Sequence, residues 1–413
     1  RRSSDLHIPC IPIAHLGSKL AEIAGRFYRH PSQHLSVTGV TGTNGKTTIA
    51  YQLAQAYDLL GQHAAYIGTL GQGHVQALNP LINTTPDALS LQQFLFEYQQ
   101  EGIQHVCMEV SSHALDQGRV NSIDFTQAIY TNLSHDHLDY HHTMEAYAKA
   151  KAKLFALPTL KAAIINDDDA YGALMASMLV PSCQKITYGL QKNCDVQATR
   201  WQSTMLGSQI EIASPWGHYE IHVNLLGAFN VYNSLAVFSS LLADGISSTD
   251  VVAVMKKLRA SPGRMEVVSQ EPCVIVDYAH TPDALDNVLS TLSQLKRGRL
   301  GVVFGCGGDR DKTKRPMMGK IASQYADFIV ITSDNPRSEE PAQIVEEIIE
   351  GVASTSNTLK IIDRKEAIQH ALKLADKDDI ILIAGKGHEA YQQIGKERFV
   401  FSDQDVVREF MQC

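Results

Sequence analysis

The feature that most constrains the fold of this chain is a loop of small residues at 41–48, which reads Thr-Gly-Thr-Asn-Gly-Lys-Thr-Thr. The apolar run Leu35–Val40 precedes the loop, and Thr47–Leu60 follows it with apolar side chains at helical spacing. A strand that turns through such a loop into a helix directs backbone N–H groups and the positive helix end toward one point. The sequence therefore predicts an α/β domain that binds a phosphate group.

The side chains of this loop indicate which phosphate compound it binds. Lys46 can reach the β- and γ-phosphates of a nucleotide, and Thr47 can place its hydroxyl on Mg²⁺. The strict form of the motif has Gly at position 40, where this chain has Val40, so a Gly-rich turn without a ligand is the alternative. The lysine between Gly and two threonines favours ATP.

Strand and helix patterns alternate along most of the chain, which is typical of a mostly parallel sheet covered by helices. Residues 183–225 instead alternate polar and apolar side chains, which predicts a small antiparallel extension. A boundary is expected near residues 261–263, Ser-Pro-Gly, after which the alternation restarts. The predicted fold is a central P-loop α/β domain at 35–260 and a Rossmann-like C-terminal α/β domain at 261–413. Residues 1–34 are expected to be a lead-in.

Composition excludes several classes of protein. The formal net charge of −8 argues against a nucleic-acid partner. No apolar run approaches the roughly 18–20 residues that cross a bilayer, so no membrane association is expected. The seven cysteines include no C-x-x-C pair, which favours reduced thiols and a cytoplasmic location.

Residues 132–142 form a second polar motif, Asn-Leu-Ser-His-Asp-His-Leu-Asp-Tyr-His-His. Such a density of imidazoles and carboxylates could ligate a metal, as in a zinc-dependent hydrolase, or could be a polar surface loop. Glu109, at the end of a predicted strand, is a candidate Mg²⁺ ligand. The spacing of Lys149, Lys151 and Lys153 on one helix places neighbours on nearly opposite faces and predicts three solvated lysines.

In the second half, polar or Gly-rich clusters follow four predicted strands, at 277–282, 305–310, 333–337 and 385–389. The carboxyl ends of parallel strands meet at one sheet edge, where ligands bind. Arginines and carboxylates together suit a zwitterion, since Arg grips a carboxylate and Asp or Glu accepts from an ammonium. Four ordinary turns are the alternative.

In their order along the chain, the motifs resemble those of the Mur ligases over nearly the whole length from Leu35 onward. They read T-G-T-N-G-K-T-T at 41–48, N-T-T-P at 83–86, E-V-S-S-H-A-L at 109–115, S-H-D-H-L-D-Y-H at 134–141, P-G-R-M-E at 262–266, D-Y-A-H-T-P at 277–282 and G-K-G-H-E at 385–389. The match is strongest to the members that add the third residue of the peptidoglycan stem peptide. D-N-P-R at 334–337 resembles the variant that selects meso-2,6-diaminopimelate rather than lysine.

The resemblance implies a cytoplasmic, monomeric ligase of cell-wall synthesis, and hence of cell shape and division. It implies that ATP phosphorylates the D-Glu carboxylate of a UDP-muramyl dipeptide and that the amine of diaminopimelate displaces the phosphate. It also implies two Mg²⁺ sites and a carbamylated Lys151, which overturns the prediction that this lysine is solvated. The implied catalytic residues are Lys46, Glu109, His137 and Lys151, and the implied metal ligands are Thr47, Glu109, His137 and Lys151.

The resemblance extends to binding residues. Those implied for the nucleotide are Gly42, Thr43, Asn44, Gly45, Lys46, Thr47, Thr48, Asn132, Asn230, Asn233, Arg264, Asp277 and Lys386. Those implied for the muramyl peptide are Asn83, Thr84, Thr85, Ser111, Gln117 and Arg119. Those implied for diaminopimelate are Arg310, Asp334, Asn335, Arg337, Gly385 and Glu389.

The chain departs from the family pattern in two places. Family members carry a further N-terminal domain that holds the uridine nucleotide, and residues 1–34 are expected to hold only its tail, so an inactive ATP-binding fragment is one competing hypothesis. His142 stands where relatives commonly have Gly. A folylpolyglutamate-type ligase and a lysine-adding Mur ligase are the competing hypotheses within the same class of enzyme.

Overall fold

The computed structural model describes residues 12–191, 193–354 and 357–412. Two large sheets and a small hairpin organise the chain. The helices are α1 Leu16–Phe27, α2 Lys46–Leu59, α3 Ala88–Gln100, α4 Ser112–Asp116, α5 Leu138–His141, α6 Met144–Ala152, α7 Gly172–Ser177, α8 Ala228–Ala243, α9 Ser248–Met255, α10 Pro282–Leu295, α11 Lys314–Tyr325, α12 Pro341–Ile349, α13 Arg364–Leu374 and α14 Asp403–Met411. The strands are β1 Ser36–Thr41, β2 Ala64–Gly68, β3 Gly71–Gly73, β4 His105–Glu109, β5 Gln127–Tyr130, β6 Ala162–Asn166, β7 Gln184–Gly189, β8 Val196–Thr204, β9 Gly207–Ser214, β10 Gly217–Val223, β11 Glu266–Gln270, β12 Cys273–Asp277, β13 Leu300–Phe304, β14 Phe328–Ile331, β15 Thr358–Lys360, β16 Ile380–Ala384, β17 Tyr391–Ile394 and β18 Glu397–Val400.

The first sheet has the strand order β10-β9-β8-β7-β6-β5-β1-β4-β2-β3. Its centre is parallel, and β1 lies between β4 and β5 with its side chains buried. Helix α2 begins directly after the β1 loop and packs on this centre together with α8, whose faces are buried along most of its length. The phosphate loop therefore lies at the carboxyl edge of a buried central strand, where open α/β sheets bind ligands.

The second sheet has the order β11-β12-β16-β13-β14-β15 and is parallel from β12 to β15. Helices cover both of its faces, as the two separate apolar clusters show. The predicted convergence is confirmed, because β12, β13, β14 and β16 run in the same direction and their following loops share one edge.

The predicted antiparallel extension is confirmed for β8, β9 and β10. The prediction was wrong for the first strand of that segment, β7, which pairs in parallel with β6. The lead-in is more ordered than expected, since α1 packs against α3. Residues 1–11 of it lie outside the described residues. The division at 261 stays a prediction.

The predicted helix that carries the three lysines is two elements: α6, and a 3-10 turn from Lys153. Lys149 and Lys153 are exposed, whereas Lys151 is buried, so the prediction of solvated lysines holds for two of the three. Among the described residues, no helix is long and apolar enough to cross a membrane.

Candidate functional site

The phosphate loop is held open by two glycines and by the segment after β5. Gly42 has φ +150° and Gly45 has φ +87°, and a Cβ on either would collide with the Thr131 hydroxyl or the Asn233 amide, respectively. Asn132 accepts from the backbone N–H of Asn44 through Oδ1 at 3.0 Å. Glycine at both positions therefore lets the loop pack closely against these neighbouring segments, in a backbone conformation that other residues rarely adopt.

Two lysines converge on one carbonyl of this loop. Lys46 Nζ donates to the oxygen of Gly42 at 2.9 Å, and Lys151 Nζ donates to the same oxygen at 2.7 Å. Burial lowers the pKa of both amines, and the charge of Lys46 lowers the pKa of Lys151 further. Within the described residues neither forms an ion pair with a carboxylate, so this end of the site is electropositive and suits an anion.

Glu109, at the end of β4, is buried beside the loop. Its Oε2 accepts from the Thr47 hydroxyl at 3.0 Å, and its Oε1 accepts from the Tyr66 hydroxyl at 2.5 Å and the Thr69 backbone at 2.8 Å. Tyr66 and Thr69 were not predicted as site residues. A carboxylate and a hydroxyl side by side are the oxygen ligands that Mg²⁺ prefers, so these residues fit that ion.

His137 belongs to a cluster of aromatic side chains next to the loop. Its ring meets that of His113 edge-on at 4.9 Å between centroids, and His141 stacks on Tyr147 at 5.1 Å. Partial burial lowers the pKa of His137. Among the described residues no group of three or more His, Cys, Asp or Glu side chains is arranged to hold a metal ion.

The second half of the chain reaches this site directly. Arg264 Nη2 donates to the Thr47 hydroxyl at 3.3 Å, and its guanidinium stacks over Tyr278 at 4.4 Å. The buried Nε of Arg264 has no hydrogen-bond partner among the described atoms. Asn44 donates to Asp283, the second residue of α10, at 3.0 Å. An unpartnered guanidinium N–H beside the loop is a further donor for an anion.

A cavity of about 210 Å³ lies where these parts meet. Of the predicted residues, it is lined by Thr43, Asn44, Gly45, Lys46, Thr47, Thr48, Thr84, Glu109, Ser111, His137, Lys151 and Arg264. Tyr147, Tyr278, His280 and Thr281 also line it and were not predicted. The structure therefore brings all four predicted catalytic residues to one cavity.

The remaining predicted nucleotide residues have structural partners. Asn230 donates to the carbonyl of Leu226 at 2.9 Å, and its Oδ1 accepts from Asn233 at 3.0 Å. The carboxylate of Asp277 accepts from the backbone N–H groups of Met265 and Ala279, both at 2.7 Å. Asp277 thereby fixes the turn that presents Arg264, and burial raises its pKa.

The residues predicted for the muramyl peptide adjoin the cavity. Thr85 donates to the carbonyl of Glu109 at 2.9 Å and accepts from the Ser111 backbone at 3.0 Å. Arg119 donates to the carbonyl of Thr85 at 2.8 Å and to Gln117 at 2.6 Å. Asn83 is exposed at the rim of this segment. These contacts form one continuous surface leading away from Glu109.

The residues predicted for the amino acid gather at the edge of the second sheet. Asn335 donates to Glu389 at 2.8 Å and accepts from Lys386 at 3.1 Å, so Lys386 lies in this cluster rather than in the lining of the cavity. Arg337 Nη1 donates to the carbonyl of Gly308 at 2.8 Å. Gly385 has φ +115°, and a Cβ there would meet Asp334 at 2.6 Å. Arg310 is exposed nearby, and its guanidinium donates to the carbonyl of Asp309 at 3.2 Å.

Comparison with known proteins identifies two family models along the chain. The family model of the Mur ligase middle domain matches residues 40–241, and that of the Mur ligase glutamate ligase domain matches 263–387. UDP-N-acetylmuramoyl-L-alanyl-D-glutamate–2,6-diaminopimelate ligase of Chromobacterium violaceum is 46% identical over 97% of this chain and 82% of its own length. The enzyme of the same name from Bacillus cereus is 43% identical over 99% of this chain and 84% of its own.

Solved structures give the same result. A structure of a ligase of that name is 40% identical, with a TM-score of 0.72 over 96% of this chain and 83% of its own. Folylpolyglutamate synthase of Mycobacterium tuberculosis shares the fold alone, at 17% identity and a TM-score of 0.73 over 89% of this chain and 92% of its own. The chain therefore belongs to the Mur ligase family.

Proposed function

We propose that this chain is an ATP-dependent amide ligase that adds meso-2,6-diaminopimelate to UDP-N-acetylmuramoyl-L-alanyl-D-glutamate in peptidoglycan precursor synthesis. The observation that carries the proposal is the cavity in which Lys46, Lys151 and Arg264 meet Glu109, with residues from both halves of the chain. The names of relatives at 43–46% identity support the same reaction.

The first step transfers the γ-phosphoryl group of ATP to the γ-carboxylate of the D-Glu residue, which releases ADP. Lys46 and the loop N–H groups hold the phosphates, and Arg264 adds positive charge from the second half of the chain. Glu109 and Thr47 would hold Mg²⁺, which neutralises phosphate charge when bound, and a second Mg²⁺ would lie near His137 and Lys151. The protein mainly positions the reactants.

We propose that Lys151 is carbamylated. Its neutral amine adds to CO₂ and loses a proton, which leaves an anionic carbamate in place of an ammonium. Burial and the neighbouring Lys46 lower the pKa of Lys151 well below its ordinary value, so the neutral nucleophile is more populated than on an exposed lysine. A carbamate would also relieve the repulsion between the two cations at the Gly42 carbonyl.

In the second step the amine of diaminopimelate attacks the acyl carbon, and phosphate leaves from the tetrahedral intermediate. Asp334 and Glu389 would take an ammonium of the amino acid, while Arg337 and Arg310 would hold carboxylates. Lysine lacks the second carboxylate, so an arginine placed for it would be left without a partner. This difference favours diaminopimelate over lysine.

The test is phosphate release by the chain extended by the N-terminal domain that family members carry, with ATP, Mg²⁺ and the UDP-muramyl dipeptide. Release should depend on diaminopimelate and should be at least tenfold slower with L-lysine. Release without an amino acid, or faster release with lysine, would refute the proposed specificity. Turnover of a substrate in the absence of ATP, together with stoichiometric bound zinc, would instead favour a metal-dependent hydrolase.

A further inference from the structure

The hairpin of β17 and β18, residues 391–400, binds the loop at 334–337 that carries the predicted amino-acid side chains. Gln392 Nε2 donates to the carbonyl of Asp334 at 2.8 Å. The backbone N–H of Gln393 donates to the Asn335 side chain at 2.8 Å, and that of Gly395 donates to the carbonyl of Arg337 at 2.7 Å. The hairpin therefore contacts three of the four residues of this loop.

The hairpin fixes an unusual backbone conformation at Arg337. This residue has φ 51°, in the left-handed region that residues with a Cβ rarely adopt. Its N–H donates to the carbonyl of Gln393 at 3.2 Å, and its own carbonyl accepts from Gly395, so both peptide groups around it are held. Relaxation to negative φ would redirect the guanidinium, because the Cα–Cβ bond turns with the backbone.

The hairpin also fixes the orientation of the Asn335 amide. Oδ1 accepts from the Gln393 backbone at 2.8 Å and from Lys386 at 3.1 Å, which directs Nδ2 to Glu389 at 2.8 Å. Asn335 and Lys386 are buried, so no water is at hand to replace the hydrogen bonds between them. The carboxylate of Glu389 is thereby held in one position at the rim of the cluster.

We propose that residues 391–395 are a positioning element for the amino-acid substrate. By holding Arg337 and Asn335, they set the selection of a second carboxylate without touching the reacting atoms. This inference rests on the proposed function, since it names the part of the fold that gives the site its choice of diaminopimelate.

Two substitutions test the element without altering a predicted binding residue. Gln392→Met keeps the side-chain length but removes the donor to Asp334. Gly395→Val tests the backbone, because Gly395 has φ +59° with no described atom near the position of a Cβ, and a β-branched residue strongly disfavours that φ. Gly395→Asn is the matched rescue, since Asn tolerates the left-handed region, and Val400→Thr, at a side chain 97% exposed on the same hairpin, is the control.

Steady-state kinetics in the extended chain give the readout. We expect Gln392→Met and Gly395→Val to raise KM for diaminopimelate about five- to tenfold and to reduce the preference over L-lysine. KM for ATP and for the UDP-muramyl dipeptide should stay within about twofold, as should every constant of Gly395→Asn and Val400→Thr.

A KM for diaminopimelate within twofold in both Gln392→Met and Gly395→Val would overturn the positioning role. So would an equal rise in all three KM values with a lower Tm, because that pattern indicates general loss of structure. If the unsubstituted protein itself shows no diaminopimelate-dependent phosphate release, the proposed function fails first, and the role of the hairpin fails with it.

Discussion

The edge of the second sheet that carries the residues predicted for diaminopimelate is held by a buried ion pair, and this pair can be tested. Arg364 Nε and Nη2 each donate to one oxygen of Asp403 at 2.8 Å, and neither side chain is exposed. Nη2 also donates to the carbonyl of Ala384 at 3.0 Å, and Nη1 to that of Ser333 at 3.4 Å. Those two carbonyls directly precede Gly385 and Asp334.

The perturbation is Asp403→Asn, which keeps the shape and removes the charge. Removing one partner of a buried pair costs about 3–5 kcal/mol because the other charge stays buried. Asp403 is also the first residue of α14, whose positive helix end favours the carboxylate, so the substitution loses that interaction as well. For a domain of about 150 residues, 3 kcal/mol corresponds to a fall in Tm of roughly 6–12 °C.

The matched control lies close by on the same two helices. Lys365 and Glu409 form an ion pair at 3.0 Å whose side chains are 51% and 64% exposed. An exposed pair contributes about 0–1 kcal/mol, so Lys365→Met should shift Tm by no more than roughly 2–4 °C. Calorimetry at pH 7 measures both variants.

The double variant Arg364→Met with Asp403→Leu separates charge burial from hydrogen bonding. It removes both charges but leaves two carbonyls without donors, at about 1 kcal/mol each, so it should be less destabilised than Asp403→Asn. If Asp403→Asn lowers Tm no more than the control, the buried pair does not hold this edge. If the double variant is the least stable of all, the cost comes from the lost hydrogen bonds and packing rather than from an unpaired buried charge.

Three further predictions concern the proposed site and its surroundings. Arg337→Ala should raise KM for diaminopimelate roughly 10- to 100-fold, because it loses a charge-assisted hydrogen bond of about 1.5–3 kcal/mol. KM for ATP should stay unchanged. An unchanged KM for diaminopimelate would show that Arg337 does not belong to the pocket. Lys46→Met should lower kcat about 10²- to 10³-fold with the fold intact by circular dichroism, and near-normal turnover would contradict its role on the phosphates. Hydrogen bonds from Arg315 lower the pKa of Glu339 from its ordinary 4.5 to about 2. The stabilisation from Glu339 is therefore full above pH 4.5 and is lost as the pH falls toward 2. Glu339→Gln should lower the free energy of unfolding in urea by about 1–2 kcal/mol at pH 7, after allowance for solvent screening, and by progressively less below pH 4.5. A loss of stability that does not change with pH would contradict this linkage.

The sequence predicted the parts of the fold that depend on local pattern. The strand before the phosphate loop and helix α2 lie within a residue of their expected bounds, since apolar runs and glycines mark them. The four strands of the second sheet that precede the predicted polar clusters end within two residues of those clusters. Helix α1 was missed because Pro9, Pro12 and Gly17 obscure the pattern of a short amphipathic stretch. Strand β7 was misassigned because it was grouped with the alternating segment, although its continuous buried run from Ile186 to Gly189 is typical of a parallel strand.

The site was predictable where a motif carries the chemistry and not where tertiary contacts do. Helical spacing correctly separated Lys151 from its neighbours, but only the resemblance indicated which face is buried. Tyr66 and Thr69 support Glu109 from another strand and the turn that follows it, and no spacing in the sequence connects them to it. The contact of Asn44 with Asp283 joins residues 239 positions apart and likewise leaves no local signal.

The charges that line the cavity explain why a bound phosphate favours contact between the two halves of the chain. Lys46, Lys151 and Arg264 line it against the carboxylates of Glu109 and Asp136, so its ionised side chains sum to a positive charge unless Lys151 is modified or neutral. Arg264 comes from the second half of the chain and reaches Thr47 on the loop. A phosphate group on the loop gains from this guanidinium only when the two halves lie together. By linkage, phosphate binding then stabilises that arrangement by the same factor by which the arrangement raises the affinity for phosphate. If ATP and diaminopimelate bind as proposed, nucleotide binding and the delivery of the amino acid from the second sheet are coupled through Arg264. Asp277, which fixes the turn that presents Arg264, is then part of the same coupling.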